Sequence, residues 1–224
     1  MYRFIVWPWT CNTLHVIANN KENQSMANQF LKGRRIAILA TDGFEQSELF
    51  EPKKALEAAG AEVDVVSPKE GSIKGWSGKD WGKSIDVDLM LSEADADDYA
   101  ALMLPGGVIN PDKLRIDEEA VQFVQKFVVA KKPIAAICHG PQVLIETGIV
   151  KGRQMTSWPS LKTDLINAGA HWVDEEVVTD QGLVTSRKPD DIPAFNKKMI
   201  EEFAEGAHDR SRSQGRSEPM ETYT

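Results

Sequence analysis

The chain has 224 residues, 42% hydrophobic and 27% charged, with a formal net charge of −8. This is enough material for one well-buried α/β domain, and the acidic balance, with no basic block in the body of the chain, argues against a nucleic-acid surface. Two cysteines cannot build a disulfide framework, and no apolar run approaches the roughly 20 residues that span a bilayer.

Residues 1–33 read as an extension outside the fold, either disordered or mis-assigned. Arg3 precedes an apolar stretch faintly like a signal peptide, but Pro8, Asn12 and His15 interrupt it and no small-residue cleavage site follows. Met26 is the preferred start. From residue 34 the pattern changes. Arg35 to Ala40 predicts a fully buried strand, and Ser47 to Ala59 a helix closed by Gly60. Glu62 to Ser67 predicts a second strand. Residues 71–87 alternate weakly around Gly75, Gly78 and Gly82, as a small hairpin would. The acidic run from Glu93 to Asp98 suits a solvated loop.

Ala100 to Leu104 is a third buried strand, ended by Pro105-Gly106-Gly107. Asp117 caps a helix whose apolar face is Val121, Phe123, Val124, Phe127 and Val128. Pro133 opens a strand that runs to Cys138, and a helix continues from there to Gly148. Ser160 to Ala168 is a further helix, Val177–Thr179 and Leu183–Ser186 are strands, and Asp190 to Glu205 is the last helix. Residues 34–205 thus form one domain without repeats. The tail, 206–224, is rich in Ser, Arg, Glu and Gly and has little to bury.

Strands alternating with helices predict a mostly parallel sheet covered on both faces, with ligands bound beyond the carboxyl ends of its strands. Three unusual segments fall at such ends: Thr41-Asp42-Gly43-Phe44-Glu45, Pro105-Gly106-Gly107 and Cys138-His139-Gly140. A lone cysteine ending a core strand is most simply a small buried side chain. The His139-Gly140-Pro141 that follows argues for a working thiol. At a helix start, unpaired N–H groups and the helix dipole favour the reactive thiolate.

His139 is the candidate general acid/base, and several acids could orient it, Asp112 among them. Backbone N–H groups of the Gly106-Gly107 turn and of His139 can meet an oxyanion. Glu45 is expected to face the thiol as a protonated carboxyl, its pKa raised by a low-dielectric pocket. Glu48 is assigned to the exposed helix face, where its charge suits the helix start. His171 suits a strand surface. Trp76 and Trp81 flank a glycine-rich turn and could line a partner surface, a pocket rim or the core. The cysteine and histidine spacing fits no zinc site, and no cofactor is implied.

Glu45 with Gly43-Phe44 and Glu48, Leu102 to Gly107, Ala136 to Gln142, Lys151-Gly152-Arg153, Ile166 to Ala170, and Leu183 to Arg187 followed by Pro189-Asp190-Asp191 together resemble the PfpI family. That family groups intracellular cysteine proteases and general stress proteins, within the superfamily of the parkinsonism-associated deglycase and the glyoxalase III enzymes. The resemblance runs from about Arg34 to Glu205. It implies a flavodoxin-like three-layer α/β sandwich, of the class I glutamine amidotransferase-like kind, and a homodimer or larger assembly.

It also implies that Cys138 is the nucleophile with His139 as partner, that Glu45 hydrogen-bonds the thiol, and that the N–H groups of Gly107 and His139 form the oxyanion hole. Asp112 aligns with an acid, often glutamate, that reaches the histidine from a neighbouring subunit in protease-like members. The function expected is cofactor-free cysteine chemistry on a small aldehyde such as methylglyoxal, or on glycated protein or peptide, in a reducing cytoplasm under stress. Intracellular peptidase activity is the alternative, and a non-catalytic redox-sensing or chaperone role a third. A glutamine amidotransferase would need a late His-Pro-Glu segment, where this chain reads Ser186-Arg187-Lys188-Pro189-Asp190.

Overall fold

The computed structural model describes residues 30–207. The expectations for a start at Met26 and for the tail beyond residue 207 lie outside the described residues. The elements run β1 (Arg35–Leu39), α1 (Gln46–Ala58), β2 (Glu62–Ser67), β3 (Ser72–Ser77), β4 (Asp80–Asp86), β5 (Leu89–Met90), β6 (Ala101–Leu104), α2 (Ile109–Arg115), α3 (Glu118–Val129), β7 (Ile134–Ile137), α4 (Pro141–Glu146), β8 (Gln154–Met155), α5 (Lys162–Asn167), β9 (His171–Trp172), β10 (Val177–Asp180), β11 (Leu183–Ser186) and α6 (Ile192–Glu205).

Seven strands form the central sheet in the order β10-β11-β7-β6-β1-β2-β5. Every pairing in it is parallel except the β10–β11 hairpin. A parallel sheet needs cover on both faces, which is why its inner strands are apolar throughout rather than alternating. On one face Ala37, Leu39, Leu102, Leu104 and Ala136 pack with Leu114, Phe123, Phe127 and Val143 of α2, α3 and α4. On the other, Ile36, Ile38, Met103 and Ile137 pack with Leu49 and Leu56 of α1 and with Phe195, Met199 and Phe203 of α6. The expected mostly parallel, three-layer α/β architecture is what the chain forms.

Several local expectations need correction. Leu31, assigned to the extension, is fully buried, and its N–H donates to the Ala59 carbonyl at 3.0 Å. The packed domain therefore begins ahead of Arg34. The segment around Asp112, which could have been a plain turn, is helix α2. Pro111 is tolerated there because it stands in the first turn, where no intrahelical N–H bond is lost. The acidic run is not freely solvated: it folds into short 3₁₀ turns that bury Leu91 and Ala96, and Asp95 accepts from the Asp97 N–H. Residues 71–87 do form the small β3–β4 hairpin, on which Trp76 and Trp81 make an edge-to-face pair at 5.6 Å. His171 is exposed on β9.

Candidate active site

Strands β7, β6 and β1 are neighbours, so their carboxyl ends bring the three unusual segments together. The chain leaves β7 through Cys138, whose φ of 62° lies in the left-handed region. For a residue with a Cβ that conformation costs roughly 1–2 kcal/mol, so the surroundings must impose it. They do so through the backbone. The Cys138 N–H donates to the Ser186 carbonyl at 3.0 Å, the Cys138 carbonyl accepts from the Trp158 N–H at 2.9 Å, and the Gly140 N–H donates to Ile137 at 2.8 Å. Gly140 must lack a side chain, because a Cβ there would lie 2.5 Å from the Leu104 carbonyl oxygen.

The β6 loop closes over the sulfur in the same way. A Cβ on Gly107, itself at φ 82°, would meet the Gly43 oxygen at 2.4 Å. The loop is pinned by Asn110, which is fully buried. Its Nδ2 donates to the carbonyls of Pro105 (3.0 Å) and Gly106 (3.2 Å), and its Oδ1 accepts from the Thr41 N–H at 2.7 Å. One amide side chain thus ties the ends of β1 and β6 together. In this position the backbone N–H groups of Gly107 and His139 act on the Cys138 sulfur and favour its charged form.

The carboxyl beside the thiol is Glu48, not Glu45. Glu48 has no exposed surface, Gly106 donates its N–H to Oε2 at 3.1 Å, and the thiol interacts with the same carboxyl. Its other oxygen, Oε1, is buried with no hydrogen-bond partner among the described residues. Glu45 is instead the residue that precedes α1. It is extended, bridges Trp76 of β3, and accepts from the Ser47 hydroxyl at 3.2 Å. The reason is helical periodicity. Glu48, Pro52 and Leu56 recur at intervals of four and face the sheet, so the glutamate at the front of that stripe enters the site from below.

Burial pushes the Glu48 carboxyl up to about 8; the Glu45 charge adds to the rise, against hydrogen bonds from the thiol and from Gly106. The Cys138 thiol is also pushed up, by burial first and the Glu48 charge second, while the N–H groups of Gly107 and His139 act against that. Burial thus works against the thiolate expected at a helix start. Helix α4 is only six residues long and Cys138 is 7% exposed, so desolvation opposes the helix end. Desolvation also keeps the pair from carrying two negative charges at neutral pH.

His139 lies half-buried with Nδ1 3.3 Å from Cys138 Sγ, and burial lowers its pKa. Its Nε2 is 3.3 Å from the Ser160 hydroxyl, and its ring stacks on Trp158 with centroids 6.1 Å apart and planes inclined by 25°. Asp112 is exposed on α2 and makes no hydrogen bond or ion pair with His139 within the described residues. The structure therefore gathers Cys138, His139 and Gly107, leaves Asp112 apart from the imidazole within the chain, and replaces Glu45 by Glu48. Sequence reading missed Glu48, Asn110, Trp158 and Ser160. Only Glu48 carried a usable signal, its four-residue spacing to Pro52 and Leu56.

Residues 34–202 match the DJ-1/PfpI family. The chain is 46% identical over 169 residues to General stress protein 18 of Bacillus subtilis, covering 75% of this chain and 96% of that protein. It is 43% identical over 169 residues to Protein/nucleic acid deglycase 2 of Escherichia coli, with the same coverage. Among solved structures, DJ-1beta of Drosophila melanogaster superposes with a TM-score of 0.70 at 29% identity, over 76% of this chain and 90% of that one.

Proposed function

The chain belongs to the DJ-1/PfpI family, and from that footing we propose that it is a cofactor-free cysteine enzyme acting on small reactive carbonyl compounds, as a glyoxalase III-like or deglycase activity. One observation carries this reading. Cys138 Sγ lies 3.3 Å from His139 Nδ1 and beside the buried Glu48 carboxyl, which burial keeps largely protonated at neutral pH, while the N–H groups of Gly107 and His139 favour charge on the sulfur. This arrangement suits a thiol that gives up its proton as it attacks, rather than a standing thiolate.

With methylglyoxal the thiol proton passes to Nδ1 while Sγ bonds to the aldehyde carbon. The carbonyl π bond breaks, and its oxygen takes that same proton from the imidazolium, giving a thiohemiacetal and leaving Nδ1 free again. The hydrogen on that carbon leaves as a proton to the imidazole and returns to the adjacent ketone-derived carbon, while the hydroxyl proton passes to the former ketone oxygen. The result is a lactoyl thioester, which water cleaves to lactic acid and free thiol. One methylglyoxal and one water give one lactic acid, the oxidation of one carbon matched by reduction of the next, so no outside oxidant is required. The same addition could draw the aldehyde off a glycated amine or thiol.

The low exposure of Cys138, 7%, favours a small electrophile over an extended peptide. In this reading the protein works as a homodimer or larger assembly in a reducing cytoplasm. No helix among the described residues is long and apolar enough to cross a membrane. Asp112, exposed on α2, is available to a neighbouring copy. Loss of turnover in Asp112→Asn, with the assembly intact, would give it a role in trans; unchanged turnover would remove it.

The test is purified protein with methylglyoxal and a peptide substrate side by side, each with and without Cys138→Ser. Methylglyoxal consumption that vanishes with the sulfur, with the peptide intact, is the expected result. Peptide cleavage would favour the peptidase, and oxidation of Cys138 by peroxide without any turnover the redox sensor. Turnover that survives Cys138→Ser overturns the nucleophile assignment.

A further inference from the structure

His139 is held on two sides by one short segment of chain. The Trp158 ring stacks, offset, against the imidazole, and two residues later the Ser160 hydroxyl meets its Nε2 edge at 3.3 Å. The segment is itself tied to the nucleophile turn, since the Trp158 N–H donates to the Cys138 carbonyl at 2.9 Å. The Ser157 hydroxyl donates to the Trp158 carbonyl, also at 2.9 Å, which braces the same peptide. The imidazole thus cannot shift relative to the sulfur without disturbing the turn that presents the sulfur.

The two contacts constrain different motions. Stacking fixes the plane of the ring but allows a half-turn about its Cβ–Cγ bond. That half-turn would put Cδ2 where Nδ1 stands and remove the nitrogen from Sγ. It would also present a C–H to Ser160 and lose the Nε2 contact, so the serine opposes it. We propose that Trp158 and Ser160 are positioning residues for His139, supplied by the same chain, with Ser160 accepting the Nε2 proton so that Nδ1 keeps its lone pair for the Cys138 proton. This assignment rests on the cysteine-enzyme reading above.

The electrostatics agree. Among the described residues the titratable groups that face the ring are Cys138 and, through it, Glu48; burial lowers the histidine's pKa with no charged partner among them opposing it. A neutral hydroxyl at Nε2 leaves the imidazole uncharged and basic at Nδ1. A carboxylate there would instead hold it as imidazolium.

The experiment measures three quantities on the full chain for Ser160→Ala, Ser160→Thr, Trp158→Phe and Trp158→Ala. They are the His139 ring tautomer by ¹⁵N NMR, the pH profile of Cys138 alkylation by iodoacetamide, and kcat and KM for methylglyoxal. Ser160→Ala should turn a single Nε2–H tautomer into a mixture and slow alkylation at neutral pH by about threefold to tenfold. It should lower kcat by a similar factor with KM unchanged. Ser160→Thr should restore all three, Trp158→Phe should stay near the parent, and Trp158→Ala should resemble Ser160→Ala. A Ser160→Ala protein with the parent tautomer and alkylation rate overturns the assignment. If the parent protein ignores methylglyoxal, or Cys138→Ser still turns it over, the functional reading fails, while tautomer and alkylation still decide the positioning role.

Discussion

Glu48 and Cys138 meet across Gly106, where an added Cβ would lie 2.4 Å from Glu48 Oε2 and 2.6 Å from Cys138 Cβ. The carboxyl and the thiol are neighbours only because the residue between them has no side chain. Gly106→Ala should therefore separate them. The third neighbour, the Ile137 carbonyl at 2.8 Å, belongs to the strand and cannot yield. Overpacking of this kind costs roughly 1–3 kcal/mol. A lower urea midpoint, together with faster alkylation of a sulfur pushed outward, is the expected pair of results. An unchanged midpoint would show that the loop absorbs the methyl group.

The Glu48 carboxyl makes folding stability depend on pH in a direction opposite to that of a salt-bridged acid. Its pKa rises from 4.5 to about 8 on folding, so between those values the folded chain binds this proton more tightly than the unfolded chain does. Stability from this group is complete at low pH, declines as pH rises toward 8 and levels off above it. The span is on the order of a few kcal/mol for a shift of this size. Glu48→Gln should flatten that decline and leave the variant relatively more stable at alkaline pH. Urea unfolding at pH 5, 7 and 9 measures it. Parallel profiles for the two proteins would mean that Glu48 does not carry the buried proton.

Much of this was legible in the sequence because the parallel sheet writes itself as short apolar runs punctuated by glycine and proline. The runs 35–40, 62–67, 100–104 and 133–138 fall on β1, β2, β6 and β7 to within a residue. The site was harder, since contacts there depend on side-chain direction rather than on type. Glu45 and Glu48 are both glutamates at the start of one helix, and only the phase of that helix separates them. The face shared with Pro52 and Leu56 could have assigned Glu48 correctly. Ser160 had no such signal: it lies 21 residues from His139, and nothing local marks a serine that will meet an imidazole.

Asn110 offers a test of how the β6 loop is held. Asn110→Ala leaves the Thr41 N–H without its acceptor and frees the carbonyls of Pro105 and Gly106, all in a buried setting. An orphaned buried donor costs about 1–3 kcal/mol. Asn110→Asp keeps the acceptor for Thr41 but turns a carboxylate oxygen toward two carbonyls. It should be the worse of the two at neutral pH and recover toward the alanine variant in acid, as its carboxyl takes a proton. Chemical denaturation across pH distinguishes them, and an aspartate variant as stable as the parent at pH 7 would contradict the amide orientation.

Glu45, though it does not touch the thiol, still acts on the site through charge. Its carboxylate is among the causes that raise the Glu48 pKa. Removing that charge in Glu45→Gln makes ionised Glu48 less unfavourable, so the Glu48 midpoint should move down from about 8 by a fraction of a unit. More of the Glu48 is then ionised at neutral pH, and its charge holds the thiol proton more tightly. Alkylation of Cys138 at pH 7.5 should slow modestly, while at pH 6, where Glu48 stays protonated in both proteins, the two rates should converge. Glu48→Gln abolishes the titration itself and should remove this difference when combined with Glu45→Gln. If Glu45→Gln slows alkylation equally at both pH values, or still does so in the Glu48→Gln background, its influence reaches the sulfur by a route other than the buried carboxyl.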